Sequence, residues 1–175
     1  MIREKPLELT LAIIKPHVIK NSCALTKIRD VILRNDFQVV KNDRVCISRS
    51  SAEDFYAEHS KKFFYQRLVT FMSSGPSDVY ILARENAIAK WRELLGPTKV
   101  YKTIISHPES IRGRFGISDT RNAAHGSDSQ ETAEKEIKFF FPAFDVKLWR
   151  AKDEELFRMR RTVFNPEKFL HELLC

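Results

Sequence analysis

A chain of 175 residues fits one domain with a sizeable core and a short extension, and 43% hydrophobic with 30% charged residues is ordinary for a soluble globular protein. No apolar run approaches the roughly 18–20 residues that a membrane span needs, and Cys23, Cys46 and Cys175 form an odd set without CxxC spacing, which argues against a disulfide framework or a zinc site and suits a reducing interior. The net charge of +7 points to anionic partners, whether nucleotide phosphates, a nucleic acid or an acidic protein surface, but the basic residues are spread without a compact run, so no specific nucleic-acid binding is expected.

In chain order, the amino terminus from Met1 to Pro6 has neither a signal-peptide apolar region nor the character of a transit peptide. Residues 7–14 alternate and then run apolar, predicting a buried strand that Pro16 ends, with Lys15 at its mouth. Residues 26–35 place Ile28, Val31 and Ile32 on one helical face. Residues 37–48 are rich in β-branched side chains and read as a long strand. Ser50-Ser51-Ala52-Glu53 suits the cap of a helix through Glu58, and a second helical piece spans 64–72 before Gly75-Pro76. A short strand at 79–83 and a helix at 87–95, stopped by Gly96-Pro97, follow. Residues 99–122 read as a long irregular loop, and such loops inside compact domains are usually functional. A last short strand precedes a helix over 130–141. Two strand–helix–strand halves in this order predict an α/β (α+β) sandwich, ferredoxin-like, on a four-stranded antiparallel sheet.

From Asp145 onward, Trp149, Leu156, Phe157, Phe164, Phe169 and Leu173 alternate with charges. Residues 1–144 are therefore taken as the domain and 145–175 as an extension, too apolar for a disordered linker, that packs on the domain or on a protein partner.

The segment Arg121-Asn122-Ala123-Ala124-His125-Gly126-Ser127-Asp128-Ser129 sets one histidine among small and polar residues at a helix entrance, where exposed N–H groups favour anions. By local chemistry alone it is a turn that caps a helix. A neutral imidazole there is also a nucleophile once a carboxylate fixes its orientation.

With Arg121-Asn122 ahead of it, His125-Gly126-Ser127-Asp128 resembles the active-site signature of the nucleoside diphosphate kinases. Further stretches fall in the same order: Ala12-Ile13-Ile14-Lys15-Pro16, Phe55-Tyr56 through Phe63-Phe64, Ser73-Ser74-Gly75-Pro76, Leu95-Gly96-Pro97-Thr98 and Ser110-Ile111-Arg112-Gly113. The resemblance runs from about Leu7 to Phe141 and is greatest to the divergent group-II members. It implies the same fold and a ping-pong transfer of a γ-phosphoryl group from a nucleoside triphosphate to a nucleoside diphosphate through a phosphohistidine.

That resemblance implies His125 as nucleophile, Glu136 and Ser127 holding the imidazole, and Tyr56 packed beside it. Lys15, Arg92, Thr98 and Arg112 fall at phosphate-contacting positions, where a point charge and planar guanidinium forks suit phosphate oxygens. Gly113 would let the backbone turn tightly beside Arg112. Asn122 falls where the ribose hydroxyl is bonded, and Phe63 where an aromatic stacks on the base. Stacking reads a π-face and tolerates many nucleobases. Mg2+ is expected to arrive between the substrate phosphates rather than in a protein cage, so no metal ligand is assigned.

Several residues depart from the family pattern. His17 replaces an aspartate, making local charge near the phosphates less negative or pH-dependent. The spacing from Phe63 to Leu68 leaves open whether Leu68 touches the base. Asp119 replaces an aliphatic side chain beside the base and, as a poorer stacking surface, is expected to weaken base affinity. The lengthened loop from Lys99 to Ile111 lies where the family builds its hexamer, so a monomer, dimer or mixed complex is expected instead. A cytoplasmic or mitochondrial location is expected. The alternative to an active kinase is a nucleotide-binding or scaffold protein that turns over poorly.

Overall fold

The computed structural model describes residues 5–174; the reading of Met1 to Glu4 and the Cys175 thiol lie outside the described residues. β1 (Glu8–Ile14) runs into α1 (Pro16–Ile19), α2 (Ser22–Arg34), β2 (Gln38–Cys46), α3 (Arg49–Phe55) and a 3-10 turn (Ala57–His59). Next come α4 (Tyr65–Met72), β3 (Pro76–Arg84), α5 (Ala87–Leu95), α6 (Val100–Ser106), α7 (Ile111–Phe115), β4 (Ala124–Gly126) and α8 (Gln130–Phe140). The chain ends with α9 (Val146–Lys152), α10 (Glu154–Arg158) and a hairpin of β5 (Thr162–Asn165) and β6 (Leu170–Leu173).

The main sheet has the order β2-β3-β1-β4 and every pair is antiparallel, the four-stranded ferredoxin-like arrangement expected. Side chains alternate across a strand, so β1 feeds two cores. Ala12 and Ile14 face α2 and α5 with Ile28, Ile32, Trp91 and Leu95. Leu9, Leu11 and Ile13 face the other layer with Met72 and Ile137. Helices on both faces explain why β1 reads as a continuous apolar run.

Two local readings need correction. The segment 99–122 is not irregular: it holds α6 and α7. Val100 and Thr103 are buried on one side of α6, Asp119 Oδ1 accepts from Val100 N at 3.1 Å, and Ser110 Oγ caps α7 by accepting from Gly113 N at 3.0 Å. The cap of α3 is Ser48, which accepts from Ser51 N, rather than the segment starting at Ser50. Gly113 lies inside α7, where a Cβ would sit 2.3 Å from the His107 carbonyl oxygen. The glycine is required by that close approach rather than by a turn.

Residues after Asp145 pack on the domain. Phe169 joins the α2/α5 core, Trp149 and Phe157 join the opposite one, and the Glu154 carboxylate accepts from Leu7 N at 2.8 Å.

Candidate functional site

β4 is short, but it is held from two sides. Ile13 faces His125 across the sheet, and Trp91 Nε1 on α5 donates to the His125 carbonyl at 3.0 Å. A Cβ on Gly126 would lie 2.5 Å from Trp91 Cδ1, so only glycine lets the indole approach. Buried Ala123 enters β4 at φ 76°, a left-handed conformation that costs a non-glycine residue about 1–3 kcal/mol. The strain fixes the chain where Ala123 O accepts from Lys15 N at 3.0 Å.

His125 Nε2 lies 2.9 and 3.0 Å from the two oxygens of Glu136 on α8. A carboxylate only accepts, so Nε2 carries the hydrogen, and in the neutral ring Nδ1 keeps its lone pair. Ser127 Oγ donates to Glu136 Oε2 at 2.7 Å and accepts from Leu11 N at 3.2 Å. The imidazole is thus anchored through a carboxylate and a hydroxyl to the backbone of β1, while Phe55 meets its ring edge-on at 5.6 Å.

His125 lines a cavity of about 840 Å³ together with Lys15, Tyr56, Phe63, Thr98, Arg112 and Asn122. Lys15 is buried and donates from Nζ to the Thr120 carbonyl at 3.2 Å. Burial, reinforced by the Arg112 guanidinium, pulls its amine down to about 7. Arg112 donates to the Gly96 and Ala124 carbonyls at 2.7 and 3.1 Å, and burial with the Arg92 charge lowers it to about 10. Tyr56 has a buried hydroxyl without a partner, and burial beside the Glu136 carboxylate raises its pKa, so it remains an O–H donor. Asn122 Nδ2 donates to the Asp119 carbonyl, while its buried Oδ1 is free to accept.

Glu136 and Ser127 stand behind the imidazole rather than on the cavity wall. Arg92 is exposed on α5 and lines a separate, shallower cavity with Glu8, Asp128, Ser129 and Gln130. Phe63 stands on the rim at 88% exposure, whereas half-buried Phe64 and buried Leu68 also line the wall. Sequence reasoning passed over Phe64, Tyr101 and Ile104 as lining residues. The adjacent aromatic pair at 63–64 and the three-residue spacing of Tyr101 and Ile104 were the available signals. His17 does not line the cavity: its Nε2 donates to the Phe115 carbonyl at 3.1 Å, tying α1 to the end of α7. Burial, with the Lys15 and Arg121 charges, lowers its pKa against the pull of that bond.

An oriented imidazole, buried cations and an aromatic-walled cavity on a ferredoxin-like sheet define an α/β protein of the nucleotide-binding class. The family model described as nucleoside diphosphate kinase matches residues 8–146. The chain is 48% identical over 167 residues to nucleoside diphosphate kinase 6 of Danio rerio, covering 95% of each. It is 44% identical over 165 residues to nucleoside diphosphate kinase 6 of Homo sapiens, covering 94% of this chain and 89% of that one. Among solved structures, the nucleoside diphosphate kinase of Aquifex aeolicus superimposes with a TM-score of 0.74 at 40% identity, over 77% of this chain and 95% of that one. That of Halobacterium salinarum in complex with CDP gives 0.71 at 28% identity, over 82% and 97%. The chain belongs to the nucleoside diphosphate kinase family. Membership supports nucleotide binding and a transferase fold of the kinase type.

Proposed function

We propose that the protein transfers the γ-phosphoryl group of a nucleoside triphosphate to a nucleoside diphosphate in two half-reactions through phospho-His125. The observation that carries this reading is the pairing of His125 Nε2 with Glu136, which commits one ring nitrogen to a proton and leaves Nδ1 nucleophilic. The Nδ1 lone pair forms the N–P bond as the bond to the bridging oxygen breaks, and that electron pair leaves on the diphosphate. Nε2 keeps its hydrogen, and Glu136 stabilises the positive charge that spreads over the phosphorylated ring. An oxygen of the acceptor diphosphate then attacks phosphorus and returns the pair to Nδ1.

Such transfer asks mainly for positioning and charge stabilisation. Lys15, Arg112 and the Tyr56 hydroxyl supply donors at the phosphate end, and Asn122 Oδ1 supplies an acceptor for a ribose hydroxyl. Arg92, whose charge acts on Arg112, steadies phosphate from outside the wall. Thr98 adds a hydroxyl at the rim. The described residues offer no cluster of three or more His, Cys, Asp or Glu for a resident ion. This chain's own donors suit a magnesium–nucleotide substrate whose ion is held by phosphate oxygens. A reducing cytoplasmic or mitochondrial setting belongs to the same proposal, supported by the free exposed thiols of Cys23 and Cys46.

Incubation with γ-labelled ATP and magnesium is expected to give an acid-labile label, absent in His125→Ala, that discharges onto added diphosphate. Label that survives acid, or persists in the variant, would overturn the assignment. Binding of ADP without any transfer would instead favour the catalytically weak, nucleotide-binding alternative.

A further inference from the structure

The end of α3 meets the His125 imidazole with two consecutive rings that do different things. Tyr56, at the cap of the helix, lines the large cavity, and Phe55, its last residue, does not. Phe55 instead meets the imidazole edge-on, with ring centres 5.6 Å apart and planes at 73°, the geometry that a ring quadrupole favours. The same phenyl ring packs 5.3 and 5.0 Å from Phe139 and Phe140 on α8. Those two rings follow Glu136 by three and four residues, so the three side chains share one face of α8. Phe55 therefore bridges the imidazole and the helix face that carries its carboxylate.

The histidine and its carboxylate differ in access to water. His125 keeps 23% of its side chain exposed and lines the cavity, whereas Glu136 is 12% exposed and does not. Phe55 and Phe140 are half-buried and pack onto the core that holds Met72 and Ile137, and Phe139 takes the outer place at 41% exposure. A phenyl ring neither donates nor accepts, so Phe55 does not compete with Glu136 for a ring nitrogen. A hydrogen bond to a carboxylate is stronger where solvent is excluded. An imidazole bonded to a carboxylate and packed edge-on against a phenyl ring is also hindered from turning to exchange Nδ1 for Nε2.

We infer that Phe55 is a positioning residue for His125: it shields the bond from Nε2 to Glu136 from water and holds the imidazole with Nδ1 toward the cavity. This rests on the transfer reading above. Because Phe55 stands off the cavity wall, it acts on the rate of phosphorylation and leaves nucleotide binding alone.

The test reads the Nε2 hydrogen directly. In the full chain made with isotope-labelled histidine, the His125 N–H is assigned by its loss in His125→Ala, and its exchange with water is measured by NMR without nucleotide. The wild type is expected to exchange it slowly, Phe55→Ala fast, and Phe55→Leu, which keeps apolar bulk without the ring, in between. Single-turnover phosphorylation by ATP with magnesium should fall about tenfold in Phe55→Ala, the scale of one lost aromatic contact, with the ADP dissociation constant unchanged. Melting curves show which variants are folded at the assay temperature; if Phe55→Ala is not, Phe55→Leu decides alone. Exchange as fast in the wild type as in the folded variants, or ADP binding that weakens in step with phosphorylation, would overturn the inference and leave the transfer reading intact. Slow exchange that Phe55 controls, with no phosphoenzyme in any of the proteins, would uphold the shield while the transfer reading fails.

Discussion

Glu136 does more than touch His125. It receives Ser127 Oγ, which in turn receives Leu11 N, so the imidazole inherits the rigidity of β1. A hydrogen bond to a charged group contributes about 1.5–3 kcal/mol. Glu136→Gln keeps the shape and removes the charge, so single-turnover phosphorylation should slow about 10–100-fold, with the melting temperature little changed. A rate equal to wild type by rapid quench would remove Glu136 from its role. Lys15 makes a separate pH prediction. Its folded value lies near 7, lowered by burial and then by Arg112, against 10.5 for a free lysine. Between those values the unfolded chain binds more protons, so the free protein's stability rises with pH across that window and this contribution is absent below about pH 7. A bound phosphate favours the ammonium form and raises the pKa again. At pH 8, nucleotide binding should take up about one proton, read by calorimetry in buffers of different ionisation enthalpy. Lys15→Met should abolish the uptake; zero uptake in the wild type would show the amine already charged.

The elements that carry these residues differ in how plainly the chain announces them. Gly126 illustrates a constraint that acts between elements. Adding a methyl places it 2.5 Å from Trp91 and forces the indole off the His125 carbonyl. Gly126→Ala should cost about 1–3 kcal/mol through overpacking and lower phosphorylation with it. An unaltered melting temperature and tryptophan fluorescence would show that β4 and α5 can part without cost. The periodicity of 87–95 gave α5 with its bounds unchanged, since Ile88, Trp91 and Leu95 repeat at helical spacing. The strand before Lys15 was equally readable from its apolar run. α6 and α7 were not, because they are seven and five residues long and one is anchored by Asp119, distant in sequence. The histidine and its carboxylate were legible through the motif at 121–129 and the helix after it. Arg92's place outside the main cavity depends on packing that no local pattern encodes. The positive φ of Ala123 is of the same kind: alanine gives no signal for a left-handed turn.

At the scale of the whole molecule, the extension decides what the sheet can do. β2 is an edge strand, and an edge with unpaired backbone groups is a template for another copy. Here the carboxy-terminal residues cover its end at residues 38–42. Val39 N donates to His171 Nδ1 at 2.9 Å, Asn42 Nδ2 donates to the Lys168 carbonyl, and Gln38 Nε2 donates to the Phe157 carbonyl. Phe169 is clamped below the Arg29 guanidinium at 4.5 Å, and Arg29 is itself paired with buried Asp78. Burial, and then the Arg160 charge, lowers His171 to about 4. From pH 6.5 down to about 4 the unfolded chain gains a proton that the folded hairpin refuses, so this contribution to stability is lost as pH falls through that window. Hydrogen exchange at Val39 should accelerate there, and in His171→Ala it should be fast at neutral pH; protection in that variant equal to wild type would show that the hairpin seals the edge without the imidazole. The same covering bears on assembly. Trp149, Phe157 and Phe169 are buried against their own domain, which leaves Leu148, Met159, Val163 and Leu174 as the exposed apolar side chains of the extension. On α6, Tyr101 and Ile105 are exposed and supply apolar surface for a local contact. The end of β2 at residues 38–42 is occupied by the extension, and a symmetric ring must satisfy each interface at every copy. The protein is therefore expected to be a monomer or dimer in solution when no partner is added. Light scattering should return the mass of one or two 20.4 kDa chains, and a hexameric mass would show that the ring closes without the β2 edge.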